Sequence, residues 1–518
     1  MSIRRLAGST ALALSLAAPA FADVTPEQVW EDWQAFSAAG GQTITTESVE
    51  RDGDTLVVTG MKLTFAQDGV NGTGSIDELR FTDNGDGTVG VTLSETYPIE
   101  MTIDPPEGEG TDGPLTLAIQ ISQPGIAITA SGDESETAYD FNAPSVTMAL
   151  TGIEGVETEA VDMTAKITLT NTTGKYILTP GADGKSGLNS SFAAESMTML
   201  IEGTDPDPSP AEGAESSGEP SAVKFNLTMA DIIGTTNGSI LGGATAMADM
   251  AAALKAGFAS EGAITTGATT YDLEMTDATG LTKINGKADT NVIGFAMDAD
   301  KISYSGGSTG TTLSLTAPDI PFPQVNLAYA EAAFNFLMPV GPNDQPADFA
   351  LLTKIVDFTI SDEIWAMFDP TNQLPRDPAT LVIDTKGTAK LTTNIMDPAA
   401  METLGGQPPG ELNSLDITEL RAKIAGAELT GNGALTFDNT DLVTYGGMPA
   451  PTGKIDLKLV GGNTLMDKLV AMGLLPEDQV MGFRMMLSMF ANATGEDELT
   501  STLEFKDGGF FANGQQLQ

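Results

Sequence analysis

The side chains in this sequence that could do acid–base, nucleophilic or metal chemistry are almost all carboxylates. The chain of 518 residues contains 71 Asp and Glu and 24 Lys and Arg, but no His and no Cys. Their absence excludes Ser-His-Asp and Cys-His catalysis, and every zinc site that needs imidazole. Paired carboxylates could still cleave a glycosidic bond, but no pair stands out, and aromatic residues make up only 6% of the chain. We therefore assign no catalytic residue, no metal ligand and no cofactor.

Three short stretches match chemical motifs by their letters but lack the context that the chemistry needs. Residues 306–310 fit the G-x-S-x-G nucleophile elbow, yet a strand-like segment follows them and no His is present, so we predict a hairpin turn. Residues 181–186 resemble a phosphate-binding loop without its first glycine, and we predict a plain loop. Residues 83–87 resemble half a calcium loop without a flanking helix, and we predict a turn.

The strong acidity of the chain limits its partners. The formal net charge is −47, which repels nucleic acids and anionic membrane surfaces at long range, so we predict no nucleic-acid partner. Solubility in a salty medium is the simplest explanation of this charge, because screening makes self-repulsion tolerable. Calcium binding by the acidic loops is the alternative. A chain without Cys uses no disulfides, so its hydrophobic core alone must hold the fold.

The first 22 residues have the three parts of a secretory signal peptide. Residues 2–5 supply a positive start, residues 6–18 are an uncharged stretch rich in Leu and Ala, and residues 20–22 form an A-x-A cleavage site. We predict cleavage between Ala22 and Asp23 and export to the periplasm, with an extracellular location as the alternative. No later apolar run approaches the roughly 20 residues of a membrane-spanning helix, so no transmembrane segment is predicted.

The residues after this signal predict a helix that packs on a sheet. Thr25 is a favourable N-cap, and Pro26 suits the first helical position. Trp30 and Trp33, two of the three tryptophans, lie with other large apolar residues on one face. We expect this face to clamp the helix onto the sheet.

Most of the remaining chain shows the two-residue alternation of half-buried strands, joined by Gly, Asn and Asp turns. Residues 203–221, rich in Pro, Gly, Ser and acidic residues, predict a flexible loop or linker. We predict a mainly β protein with helices (α+β), in which one large, curved antiparallel sheet of many strands carries short helices on one side or end. Residues 23–518 then form one large β-rich domain; two smaller β domains joined at 203–221 are the alternative.

A few segments have the composition and spacing of short helices. The predicted helices cover residues 245–258, 326–338, 346–355, 362–368, 464–472 and 476–491. The last two form a C-terminal helical pair within 464–491, and two closing strands follow this pair.

The second helix of the pair is unusually apolar. Between Val480 and Ala493 the only charged residue is Arg484, whereas a surface helix normally has a polar half. The interpretation that we favour is burial, because Met fills irregular core gaps; the other is that the helix lines a groove for something apolar. The candidate groove residues are Phe483, Met485, Met486, Leu487, Met489 and Phe490.

Two stretches carry a family resemblance. The opening, residues 1–36, contains A-P-A-F-A-D-V-T-P-E-Q-V-W, and residues 431–518 contain Y-G-G-M-P, M-G-L-L-P and a closing F-A-N-G-Q. Together they resemble the domain-of-unknown-function 2125 family of exported Gram-negative proteins. The closing strand and its Asn-Gly turn are also similar to those of AsmA-like envelope proteins, a likeness of fold alone. The resemblance implies an exported protein but supplies no activity and no site residue.

The sheet-rich pattern, the apolar helices and the lack of a catalytic constellation favour a non-enzymatic protein of the periplasm. We expect it to bind or shield an apolar envelope component on the concave side of the long sheet, or to act as an envelope scaffold with a protein partner. The alternative is a carboxylate-dependent hydrolase of a cell-wall or polysaccharide substrate.

Overall fold

The computed structural model describes residues 23–67, 69–104, 113–133, 135–155, 162–181, 185–205, 220–241 and 250–517. The predicted signal peptide, residues 1–22, lies outside the described residues, as does part of the predicted loop 181–186.

Within these ranges the chain forms 27 strands and six short helices. The strands are β1 (Thr43–Thr45), β2 (Ser48–Asp52), β3 (Thr55–Gln67), β4 (Val70–Asp83), β5 (Val89–Leu93), β6 (Thr96–Ile103), β7 (Leu115–Ser122), β8 (Ala127–Asp133), β9 (Glu136–Glu154), β10 (Asp162–Pro180), β11 (Lys185–Asp205), β12 (Ser221–Leu241), β13 (Ser260–Thr266), β14 (Thr269–Asp277), β15 (Gly280–Ala288), β16 (Thr290–Met297), β17 (Lys301–Thr316), β18 (Val325–Pro339), β19 (Ala347–Ile360), β20 (Ala379–Leu391), β21 (Gly410–Ile424), β22 (Ala427–Asp438), β23 (Ala450–Val460), β24 (Asn492–Gly495), β25 (Glu498–Lys506), β26 (Gly509–Ala512) and β27 (Gln515–Gln516). The helices are α1 (Pro26–Ala39), α2 (Met250–Lys255), α3 (Asp362–Phe368), α4 (Pro398–Thr403), α5 (Gly462–Ala471) and α6 (Glu477–Phe490).

The strands belong to one antiparallel sheet that follows the chain almost in sequence order. From β17 to β23 each strand pairs with the next along the chain. Elsewhere two short strands lie end to end against one long partner, as β13 and β14 do against β12. Because some short strands lie end to end, the sheet is about twenty strands wide. At the usual spacing of roughly 4.8 Å between neighbouring strands, its width along the hydrogen bonds is roughly 90 Å. The prediction of a mainly β protein with one large antiparallel sheet is confirmed.

The sheet continues across the segment that was predicted as a loop or linker. Asp205, the last residue of β11, faces Ser221, the first of β12, in a long antiparallel hairpin. Residues 206–219 between them lie outside the described part of the chain. Because β12 pairs in turn with β13 and β14, the strands on both sides of 203–221 share one sheet.

One face of the sheet is polar and carries cross-strand ion pairs and hydroxyl contacts. Lys224 on β12 lies 2.7 Å from Glu202 on β11, and the hydroxyl groups of Thr55 and Thr82 share a hydrogen bond of 3.0 Å. Exposed ion pairs of this kind stabilise by about 0–1 kcal/mol each. Their main effect is therefore to keep this face hydrated and in register.

Several long strands change the phase of their side-chain alternation at one central residue. In β10 the apolar positions are odd-numbered before Asn171 and even-numbered after it, and in β19 they change from odd to even at Asp357. Both residues have positive φ, 47° and 54°, as do Asp231 in β12 (49°) and Gly310 in β17 (60°). A left-handed residue within a strand redirects the side chains that follow. The apolar positions of both halves therefore stay on the same face, which we call the apolar face.

Helix α1 covers the apolar face at the N-terminal end of the sheet. The hydroxyl oxygen of Thr25 accepts a hydrogen bond from the Gln28 backbone N–H at 3.2 Å, so Thr25 is the N-cap that the sequence predicts. Trp30 and Trp33 lie 5.9 and 5.4 Å, between ring centroids, from fully buried Phe81. The predicted clamp of the two tryptophans onto the sheet is confirmed, and it forms the closed core of the protein.

Two predicted helices are wrong. Residues 326–338 lie in β18 and residues 346–355 in β19. Both segments contain helix-favouring Ala and Leu, but Phe334, Phe336 and Met338 alternate along β18 and fit a strand. Each strand has a hydrogen-bonded neighbour on both sides, and this pairing overrides the weak local preference. Helices α3, α5 and α6 lie where the sequence predicts helices. Of the predicted helix 245–258, residues 250–258 are described, and α2 covers residues 250–255 of these.

Of the motif-like stretches, residues 306–310 do not form the predicted hairpin turn, because they lie in the interior of β17. Gly306 faces Phe334 in the neighbouring strand, and Gly310 is the residue at which β17 changes phase. Residues 83–87 do form the predicted turn between β4 and β5, with positive φ at Gly85 (75°) and a side-chain hydrogen bond of 2.9 Å from Asn84 to Thr88.

The C-terminal helical pair packs at the other end of the sheet. The Asp497 carboxylate accepts hydrogen bonds from the backbone N–H groups of Asn463 and Thr464, both at 2.9 Å, and so caps the start of α5. Arg484 of α6 donates to the Asn463 carbonyl oxygen at 3.1 Å and to the Asp467 carboxylate at 2.7 Å. These bonds fix α6 against α5 through Arg484, the one basic residue of α6.

Candidate apolar binding face

The apolar face is open between its two ends. Strands β13 and β16–β19 present large apolar side chains on it that are each 36–59% exposed. We call this set the apolar strip; it consists of Ile264, Ile293, Phe295, Tyr304, Phe334, Phe336, Leu351 and Ile355. The register places Phe295 opposite Tyr304, Tyr304 opposite Phe336 and Phe336 opposite Leu351. The strip is therefore continuous across neighbouring strands.

The aromatic rings of the apolar face lie over glycines of the neighbouring strand. A Cβ atom added at Gly306 would lie 2.5 Å from the Phe334 ring, and one at Gly262 would lie 2.9 Å from the Phe295 ring. The same arrangement recurs in the directly opposed pairs Phe65–Gly72, Phe141–Gly174, Tyr271–Gly286 and Phe349–Gly387. Each ring thus covers the backbone where a side chain is missing, and within the strip Phe295 and Phe334 lie flat in this way.

We expect Gly306→Ala to destabilise the protein by about 1–3 kcal/mol, because the new methyl group must displace the Phe334 ring. Gly482 in α6 has open space around it and is the matched control. Gly482→Ala should stabilise by about 1 kcal/mol, since Ala is the better helix former. Thermal unfolding of the two variants measures both changes; equal effects of the same sign would contradict the ring-over-glycine packing.

The opposite face of the same strands is mainly polar. Ser303, Ser305 and Asn335 stand there, between the positions of the strip residues Tyr304, Phe334 and Phe336. Lys354 of β19 makes an ion pair of 2.7 Å with Glu331 of β18 on that face. Most exposed apolar side chains of these strands therefore lie on the face of the strip, although Val292 of β16, which is 45% exposed, stands on the other face.

The chemistry of the strip is apolar. Its one polar atom is the Tyr304 hydroxyl oxygen, and no member of the strip carries a charge. Among the described residues, no group of three or more Asp and Glu side chains is placed to hold a metal ion. The geometry therefore suits contact with an apolar molecule rather than proton transfer or metal binding.

The structure places the candidate groove residues of the sequence away from this strip, on α6 at the C-terminal end of the sheet. Burial, the interpretation that we favoured for this helix, is wrong for Met481, Phe483, Met485, Met486 and Met489, which are exposed. Only Val480 is buried, while Leu487 and Phe490 are half-buried. Helix α6 therefore contacts the rest of the protein along one narrow side. Arg484 lies on that side and binds α5 through its side chain.

Phe483→Ala should change the free energy of unfolding by less than about 1 kcal/mol, because this side chain is 54% exposed. Val480→Ala, on the buried side of the same helix, should cost about 2 kcal/mol. Urea unfolding of both variants checks this order. A larger cost for Phe483→Ala would mean that α6 is packed on its outer side.

A cavity of about 360 Å³ lies on the apolar face between the sheet and α3. Phe358, Ile360 and Ile424 line it from the sheet, and Ile364, Trp365 and Phe368 line it from the helix. Arg376, which is 26% exposed, also contacts the cavity. Its volume falls in the range of small-molecule sites.

Sequence reasoning missed both the strip and this cavity. The signal for the strip was divided between strands: Phe295 and Phe334 each lie on one strand and the glycines that they cover, Gly262 and Gly306, on the neighbouring one, so the arrangement depends on register. The cavity depends on how α3 folds back over β19, which the local sequence does not specify.

A protein-family model matches residues 252–517, slightly more than half of the chain, and describes an uncharacterized protein conserved in bacteria (DUF2125). The match covers the apolar strip, the cavity and the C-terminal helical pair. No curated protein and no solved structure matches the chain. In the part of the chain that the structure describes, no helix is both long and apolar enough to cross a membrane.

Proposed function

The chain belongs to the DUF2125 family of uncharacterized bacterial proteins, and from this premise we propose that it is an exported, non-enzymatic protein whose apolar face binds the acyl chains of an envelope lipid. One observation carries the proposal: the exposed apolar strip runs across five neighbouring strands, on one face only. Soluble proteins rarely expose large contiguous apolar patches, and those that do generally use them as binding sites.

A bend along the middle of the sheet would turn the apolar face into a groove. The left-handed residues Asn171, Asp231 and Gly310 lie near the middle of their strands, whereas Asp357 lies close to the end of β19. Beside Asn171, the small side chains of Ala143, Thr172 and Ala194 are buried, as expected for the inner corner of a bend. Such a groove would shield a bound acyl chain from water on two sides. This raises the apolar area that each acyl chain buries.

Acyl chains suit the strip better than other apolar ligands because of its shape and chemistry. The strip is long and built from aromatic rings and aliphatic side chains, and its single hydroxyl group gives few hydrogen bonds to a polar ligand. A flexible hydrocarbon chain gains mainly from area contact, at roughly 25 cal/mol per Å² buried. The signal-like first 22 residues support export to the compartment in which envelope lipids are found.

The test is extraction of the purified full-length protein with organic solvent, followed by mass spectrometry. We expect a lipid that co-purifies in a defined ratio and that is displaced by N-phenylnaphthylamine, a fluorescent apolar probe. A protein that carries no lipid and does not bind the probe would contradict the proposal.

A further inference from the structure

The outer side of α6 exposes apolar side chains and no charge. Five side chains there are each 48–66% exposed, and we call them the α6 patch: Met481, Phe483, Met485, Met486 and Met489. Arg484, the only charged residue of α6 after Asp478, is turned to the inner side and binds α5. The Ser488 hydroxyl group donates to the Met485 carbonyl oxygen at 2.7 Å. The patch therefore offers a partner apolar area, but no charge and no free side-chain donor.

A loop beside the end of α6 exposes further apolar side chains. The loop between β22 and β23 contributes three of them, which are Leu442, Val443 and Met448, and Val443 is 90% exposed. The Tyr445 ring of this loop lies 6.2 Å from the Phe505 ring, which stacks on Phe510 at 4.9 Å. The Phe510 ring lies 6.4 Å from that of Phe490, the last residue of α6. One aromatic cluster therefore joins the loop and the helix.

The apolar face is continuous from the apolar strip to α6. Directly opposed residues of paired strands share a face, and Ile355 of the strip lies opposite Leu381. On the next four strands the residue opposite the preceding one is again apolar, in the order Ala422, Leu429, Leu459 and Leu499. On the side of Leu499, the Ser501 hydroxyl group donates to the Phe490 carbonyl oxygen at 2.5 Å. Helix α6 thus ends on the face that carries the strip.

The size and chemistry of the α6 patch do not suit a protein partner. A stable protein interface buries about 800 Å² per partner, contributed by about 20–30 residues, and has about one hydrogen bond per 100–200 Å². Helix α6 has 14 residues and is roughly 20 Å long, and its patch has no group for such hydrogen bonds. A second copy of the chain would also bring a further charge of −47, which opposes association.

A lipid bilayer meets the conditions that a protein does not. Its hydrocarbon interior accepts apolar side chains without hydrogen bonds, and an amphipathic helix that lies in the bilayer surface is held by the apolar area that it buries. Helices α5 and α6 together have three acidic and two basic residues. They therefore lack the basic excess that would select anionic lipids.

We infer that the α6 patch and the β22–β23 loop dock the protein on the surface of an uncharged phospholipid bilayer, which supplies acyl chains to the apolar strip. The supply of acyl chains rests on the proposed function, whereas docking itself does not require the strip. From the bilayer surface, a hydrocarbon chain reaches the strip along the apolar face without crossing the polar one.

Flotation of the purified full-length protein with phosphatidylcholine vesicles tests docking. We expect the protein to float with these vesicles equally at low and high salt, because apolar contact is not screened. Met485→Asp or Val443→Asp should weaken vesicle binding by about tenfold or more, since each removes an apolar side chain from the contact. Val49→Asp is the matched control, because Val49 is a 44% exposed apolar residue at the N-terminal edge of the sheet; its binding should be unchanged. All three variants should keep the melting temperature of the unmodified protein.

A single introduced cysteine gives a second measurement, because the chain has no Cys. An environment-sensitive fluorophore on Met485→Cys should shift to the blue with vesicles and be quenched by nitroxide-labelled phosphatidylcholine. The same fluorophore on Val49→Cys should show neither change. Phe336→Asp should float normally, and Met485→Asp should still bind N-phenylnaphthylamine, so that a failure of docking is distinguished from a failure of the strip.

The inference would be overturned by a protein that does not float, by Met485→Asp floating like the unmodified protein, or by binding that requires anionic phosphatidylglycerol. Sedimentation tests the remaining occupant of the patch. If the unmodified protein were a dimer and Met485→Asp a monomer, α6 would be an interface between two copies and not a membrane contact.

Discussion

Phe336→Asp should abolish the binding of apolar chains, by about 100-fold or more, while leaving the protein folded. Phe336 lies in the middle of the apolar strip, opposite both Tyr304 and Leu351. A bound hydrocarbon chain would have to remove the new carboxylate from water without a compensating partner, which costs several kcal/mol. The side chain is 39% exposed in the free protein, so the carboxylate stays hydrated when no ligand is bound. Titration with N-phenylnaphthylamine measures the loss.

The matched control is Asn335→Asp, which adds the same charge one residue away on the polar face. Its binding should equal that of the unmodified protein, and both variants should keep the same melting temperature within a few degrees. Equal loss of binding in both variants would show that general charge, rather than the strip, decides affinity.

The second large effect concerns stability at the N-terminal end of the sheet. Phe81→Ala should cost about 3–5 kcal/mol, because Phe81 is fully buried between Trp30, Trp33 and the sheet. Phe334→Ala removes the same atoms from the strip, where the ring is 48% exposed, and should cost only about 1 kcal/mol. Thermal unfolding of the two variants compares a closed part of the apolar face with an open part.

If Phe334→Ala destabilised the protein as much as Phe81→Ala, the strip would be part of the packed core and not a surface kept for a ligand. Measuring both variants in the presence of extracted lipid adds a further check. Lipid should raise the melting temperature of Phe81→Ala more than that of Phe334→Ala, since only the latter loses contacts with the bound chain.

The sequence predicted the parts of the fold that local patterns determine. Alternating apolar residues and Gly, Asn and Asp turns gave the many-stranded sheet, and the Thr25 cap with Pro26 gave α1. It failed for β18 and β19, where Ala and Leu favour a helix locally and only pairing with neighbouring strands selects the extended form. It also failed for Gly306, because a glycine that faces an aromatic ring across a strand pair has the same local signature as a turn glycine.

The sequence predicted the apolar chemistry of the candidate site but not the residues that form it. The expectation of an apolar ligand came from the sheet-rich pattern, the apolar helices and the lack of a catalytic constellation, and the candidate residues were assigned to α6. The strip lies instead on β13 and β16–β19, where each strand contributes only one or two residues. Nothing within a single segment reveals that Phe295, Tyr304, Phe336 and Leu351 stand in register. That the exposed side chains of Phe483 and Met485 on α6 contact an apolar ligand stays a prediction.

Site-specific photocrosslinking in living cells tests the central claim most directly. A photoreactive phenylalanine analogue replaces Phe295, Phe336 or Leu351 on the apolar face of β16, β18 and β19, and Ser303, Asn335 or Leu352 on the polar face of β17, β18 and β19. After irradiation, mass spectrometry of the purified protein identifies any covalent adduct. We predict lipid adducts, joined through their hydrocarbon chains, at the three apolar-face positions and not at the three polar-face positions. Adducts absent from the apolar face, or equally frequent on both faces, would contradict lipid binding by the apolar strip.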